Sequence, residues 1–121
     1  MVLLSFCMII SGVLVSCEYE FAEFEEVDPG HPVSFAADIE PIFNSGNNCT
    51  SCHRAGSTAP DLTTGNAYQA IVPGLINTDN PEASQIYSVP HPSSAGHGFR
   101  KYTQLQAGRV LSWIKQGAAD N

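Results

Sequence analysis

The sequence predicts an all-α domain over residues 33–121, and two stretches predict it most directly. In the first, Ser34 is a good N-cap, and Phe35, Ile39, Ile42 and Phe43 follow at helical spacing, giving one apolar face. In the second, Thr103-Gln104-Leu105-Gln106 fits a capping box, with Thr103 as cap and Gln106 reaching back. Leu105, Val110, Leu111, Trp113 and Ile114 then supply a buried stripe, and Gly117 stops the helix. Trp113 is expected to pack between this last helix and the first. Pro41 is the difficulty in helix one, since a proline inside a helix kinks it or restarts it. Two short helices are predicted between these ends. One spans 64–72; the other is capped by Asn80, has Pro81 at its first position and ends near Ser88. Pro73-Gly74 separates them, and no βαβ pattern is visible.

The stretch that carries chemistry is Cys49-Thr50-Ser51-Cys52-His53. It reads C-x-x-C-H, the attachment signature of c-type haem. Each thiol can add to one vinyl group of the porphyrin, and the adjoining His53 is then held under the iron as proximal ligand. A dithiol redox pair would want a βαβ context, and a structural zinc site would want four ligands, which His91 and His97 could complete. In the loop after the motif, Pro60 is the one proline whose carbonyl could accept the His53 N–H and fix the ring.

Residues 1–16 form an uncharged apolar run, too short to span a membrane comfortably but suited to the core of an export signal. No Lys or Arg precedes it. Leu14-Val15-Ser16-Cys17 resembles the lipobox of bacterial lipoproteins, and that resemblance implies cleavage after Ser16 and a lipid on Cys17. The cysteines then divide without remainder: Cys7 leaves with the signal, Cys17 takes lipid, and Cys49 and Cys52 take haem. Residues 17–32 read as an extended acidic tether. They carry Glu18, Glu20, Glu23, Glu25, Glu26 and Asp28 with no base, interleaved with Tyr19, Phe21 and Phe24, and Asp28-Pro29-Gly30 breaks structure. His31 sits at its end as a solvated residue. Acids exceed bases by twelve to five, which argues against nucleic-acid binding and for a partner with a basic patch.

With these pieces in order, the chain resembles the small mono-haem cytochrome c family, in its lipoprotein-anchored bacterial form. The strings that carry the resemblance are DIEPIF at 38–43, CTSCH at 49–53, NTDNPEASQIY at 77–87 and VLSWIKQGA at 110–118. The resemblance covers 33–121 and implies a small all-α domain wrapped around one covalently attached haem. It also implies one-electron transfer between larger redox proteins, and no catalysis. Such cytochromes take a distal methionine from the loop before the last helix. This chain departs from that pattern, because Met1 and Met8 both lie in the signal. The loop at 89–102 offers His97, between Gly96 and Gly98, as the favoured distal iron ligand. His91 is the runner-up, with Lys101 or an open iron as further alternatives. A second histidine in place of the thioether lowers the expected reduction potential. The competing expectation is a gas- or peroxide-binding haem sensor or weak peroxidase, with Arg100 placed to polarise a bound ligand. Either way the protein is expected to be exported and lipid-anchored, on the periplasmic side or at the cell surface.

Overall fold

A computed structural model describes residues 30–121. The expected signal, the lipidation at Cys17 and most of the acidic tether lie outside the described residues. Within them the chain is helical, with no strand, and no helix is long and apolar enough to cross a membrane.

Ser34 caps the first helix as the sequence suggests. Its hydroxyl accepts from the Ala37 N–H at 3.2 Å, and Asp38 reaches back to the Ser34 N–H at 2.9 Å. Pro41 then decides the local geometry, because it has no N–H to continue an α-helical ladder. The chain answers with one wide π turn, Phe35–Ile39, whose bonding closes from the Glu40 N–H to the Phe35 carbonyl. A fresh helix, α1, follows over Glu40–Asn44 with Pro41 in its first turn, where no N–H is needed. A 3-10 turn, Ser45–Asn47, passes through Gly46 at φ +65° and delivers the chain to the cysteine motif.

The middle helices are shorter than the sequence suggests. Helix α2 spans Ala67–Ile71 rather than starting at Thr64. The Asp61 carboxylate takes both the Thr63 N–H and hydroxyl, and Gly65 sits at φ +82°, so the preceding residues are held in a turn. Asn80 makes no side-chain cap. Asn77 does related work instead, accepting the N–H groups of Asp79 and Asn80 through Oδ1. The predicted helix from Asn80 is split into a 3-10 turn, Pro81–Ala83, and α3, Gln85–Ser88. The break falls at Ser84, whose buried hydroxyl turns inward to the Asn77 backbone.

Helix α4, Gln104–Lys115, opens with the complete capping box at Thr103 and Gln106. Its buried side, Ala107, Val110, Trp113 and Ile114, packs against Phe35, Ile39, Phe43 and Ile71 in one core. Trp113 sits where expected, its ring centre 5.3 Å from Phe35 and 6.4 Å from Tyr68. The indole N–H donates to the Ala119 carbonyl at 2.9 Å, so the polar edge of the largest core residue is satisfied. The two ends of the domain are tied together by side-chain amides. Gln116 accepts from Val33 N–H and donates to the His31 carbonyl, and Asn121 accepts from Phe35 N–H. Truncating Trp113 to alanine should cost about 3–5 kcal/mol of unfolding free energy, read as a lowered denaturant midpoint, because it removes the one ring shared by the first and last helices.

Candidate cofactor site

The motif forms a single helical turn hung from the end of α1. Cys49 N–H bonds the Phe43 carbonyl at 3.0 Å, and the Cys49 carbonyl accepts from both Cys52 and His53 N–H groups, at 3.1 and 2.8 Å. This turn puts the two thiols and the imidazole on one short segment, as an attachment motif requires. The following loop folds back on the turn: Thr58 N–H meets the Cys52 carbonyl and Leu62 N–H meets the His53 carbonyl. On the other side, Tyr102 anchors the end of the loop that carries His97. Its N–H bonds the Pro90 carbonyl, and its hydroxyl, buried, donates to the Ile86 carbonyl at 2.9 Å. Burial, reinforced by the neighbouring Cys49, pushes that phenol above its ordinary range, so it remains a donor.

Between these segments lies a cavity of about 610 Å³, lined by Cys49, Cys52 and His53 on one side and by Gly96, His97 and Gly98 on the other. Its walls are mostly apolar, with Leu62, Leu75, Ile86 and Pro90 among them. That is a volume typical of small-molecule and cofactor sites. The large hydrophobic side chains exposed on the described surface, Val89 at 43 % and Phe99 at 66 %, both belong to this lining. An apolar group seated there would cover both.

His53 and His97 both line the cavity, with ring planes 15° from parallel and centres 6.1 Å apart. Metal–imidazole bonds are about 2 Å long and a ring nitrogen lies about 1.1 Å from its ring centre, so two imidazoles on opposite sides of one metal ion have centres roughly 6 Å apart. Nδ1 of both rings is buried and without a hydrogen-bond partner. The residues therefore fit a flat, apolar, metal-centred group held by Cys49, Cys52, His53 and His97. They fit a structural zinc ion poorly, since no group of three or more His, Cys, Asp or Glu is gathered for a metal among the described residues.

No protein-family model, curated protein or solved structure matches this chain. The site is therefore read from its own residues.

Of the sequence candidates, the structure brings together Cys49, Cys52, His53, Pro60, His97 and Arg100 around one cavity. It does not bring His91, whose Nδ1 is engaged by Ser93, at 2.7 Å from the hydroxyl, and whose ring rests 5.0 Å from Tyr87. Lys101 also turns away, its ammonium bound to the Ser94 carbonyl. Pro60 lines the cavity, but the expected bond from His53 to its carbonyl is not formed, because Nδ1 has no partner. The loop is pinned instead by the Leu62 N–H to the His53 carbonyl, which fixes backbone and leaves the ring unanchored. One feature escaped sequence reading: Tyr102, whose place just ahead of the Thr103 cap was its only signal. Arg100, expected beside the distal loop, holds φ +52° and donates to the Asn48 side-chain carbonyl at 3.3 Å, tying the His97 loop to the cysteine turn.

The two thiols differ. Cys49 is half-buried, and burial raises its pKa while Arg100 opposes that rise; Cys52 is exposed. A raised pKa means less thiolate at a given pH. In the protein without cofactor, iodoacetamide near pH 8 should modify Cys52 first and Cys49 several-fold more slowly, with the Cys49 rate still climbing above pH 9. Peptide mass mapping over a pH series checks this, and Arg100→Ala should slow Cys49 further.

Proposed function

We propose that this chain is a mono-haem c-type cytochrome that transfers single electrons. In this reading Cys49 and Cys52 would hold the porphyrin through thioethers, and His53 and His97 would be the protein's ligands to the iron. The observation that carries it is the pair of near-parallel imidazoles 6.1 Å apart, set across an apolar cavity whose one wall is the C-x-x-C-H turn. Bound haem supplies a one-electron iron couple. The protein's part is to position both ligands in advance, to shield the porphyrin with Leu62, Leu75, Ile86 and Tyr102, and to leave an edge near Val89 and Phe99 within reach of other redox proteins. With two imidazoles in place, the ferric state gains relative to a His/Met site, so the potential falls below that of such relatives. The polypeptide reading of residues 1–32 completes the proposal: export, a lipid on Cys17, and an acidic tether that holds the haem domain off a bacterial membrane.

One observation favours a second reading. His97 sits between two glycines on an irregular loop, and its Nδ1 has no partner to fix the ring. A distal ligand held so loosely could yield to a small gas or peroxide, making the protein a sensor or weak peroxidase. Expression with haem-attachment machinery separates the two. If electron transfer is the role, carbon monoxide leaves the spectrum of the ferrous protein unchanged, His97→Ala binds the gas, and His91→Ala behaves as the parent. Carbon monoxide binding by the unaltered protein would favour the second reading. Covalent haem retained when Cys49→Ser and Cys52→Ser are combined would overturn the first and second alike.

A further inference from the structure

Residues 91–101, which carry His97, form a loop that closes on itself. Its neck is the bond from the Tyr102 N–H to the Pro90 carbonyl at 2.9 Å. Four further bonds run within the loop. Ser94 N–H donates to the His91 carbonyl, Ser93 N–H to His91 Nδ1, Gly96 N–H to the Ser94 hydroxyl, and the Lys101 ammonium to the Ser94 carbonyl. Among the described residues, one hydrogen bond leaves the loop, from the Arg100 guanidinium to the Asn48 side-chain carbonyl at 3.3 Å. The residue that makes it is strained. Arg100 holds φ +52°, a left-handed conformation that residues other than glycine adopt at a cost. Arg100 and Asn48 both line the cavity. Asn48 immediately precedes Cys49, so this bond joins the loop that carries one imidazole to the turn that carries the other.

We propose that Arg100 is a positioning residue, whose bond to Asn48 latches the His97 loop to the cysteine turn and sets how readily His97 leaves the iron. The inference rests on the haem reading above and deepens it, because it names the contact that separates an electron carrier from a haem open to small ligands. The loop has need of such a latch. The His97 ring has no bond of its own at Nδ1, and Gly96 and Gly98 lend its backbone little stiffness. The His91 ring rests 5.0 Å from Tyr87, but His91 adjoins the neck and stands six residues before His97, so it steadies the base of the loop. Arg100 stands three residues after His97 and reaches across to the opposite segment. A charged donor strengthens its bond, while exposure to water limits it, so its loss should change ligand release by about tenfold.

The test uses the full-length haem-loaded protein in its ferric state, with cyanide as the probe, in stopped flow. At high cyanide the observed rate levels off at the rate at which His97 leaves. Arg100→Gln should raise that plateau about tenfold, and Asn48→Ala should do the same. The two together should do no more than either alone, because they remove one shared bond. Asn48→Asp turns the bond into an ion pair, so release should fall below the parent rate, and that gain should fade as salt rises. The low-spin spectrum before cyanide is added shows that each variant is folded with His97 in place. Arg100→Gly removes the strained φ along with the latch. It should release His97 as fast as Arg100→Gln without a lowered urea midpoint, which a merely structural role would not produce. An unchanged plateau in Arg100→Gln overturns the proposal. So do additive effects of the two substitutions, since the residues would then act separately. Weaker cyanide affinity at an unchanged plateau also overturns it, and assigns Arg100 to the bound ligand instead. A parent protein that lacks a bis-histidine low-spin spectrum fails the earlier reading, before any cyanide is added.

Discussion

The separation of two imidazole rings is the constraint on which the rest of this fold depends. His53 and His97 come from segments far apart in sequence, yet their rings are near-parallel with centres 6.1 Å apart. Each is placed by backbone bonding rather than by its own side-chain bonds. The cysteine turn hangs from Phe43 at the end of α1, and the His97 loop is fastened at its far end by Tyr102 to Pro90 and Ile86. Those anchors hold only because α1 and α4 share a core built on Phe35, Phe43 and Trp113. The small helical domain can thus be read as a frame whose output is one inter-ring distance.

The same frame leaves a cavity that its own side chains do not fill. In a domain this small, an apolar void beside two exposed hydrophobic residues is a liability, since lost packing and wetted apolar surface both destabilise. A resident apolar group would convert that liability into burial, and ligation of the folded state adds stability by mass action. The absence of any bond to either Nδ1 is consistent with ligands held by the framework and by the group between them. It also means that neither imidazole gains basicity from a hydrogen-bonded carbonyl.

Much of this was legible in the residues. The helical class, the Ser34 and Thr103 caps, the place of Trp113 and the grouping of Cys49, Cys52 and His53 follow from local rules that act within a few positions. Of the two loop histidines, His97 lines the cavity and His91 does not. Sequence reasoning failed where two local bonding patterns compete for the same backbone groups. Thr64 and Asn80 are fair helix starts in isolation, but Asp61 and Asn77 capture the nearby N–H groups first. Pro60 has a fitting position in the loop, yet the buried His53 Nδ1 has no partner, so no bond runs from it to the Pro60 carbonyl.

Electron paramagnetic resonance of the ferric, haem-loaded protein tests the central claim most directly. Two axial imidazoles with planes 15° apart should give a low-spin rhombic signal, because parallel planes lift the near-degeneracy of the iron orbitals they meet. A high-spin signal would mean that His97 does not ligate. A low-spin signal dominated by a single large g value would mean crossed rings, and would contradict the geometry from which the function is argued.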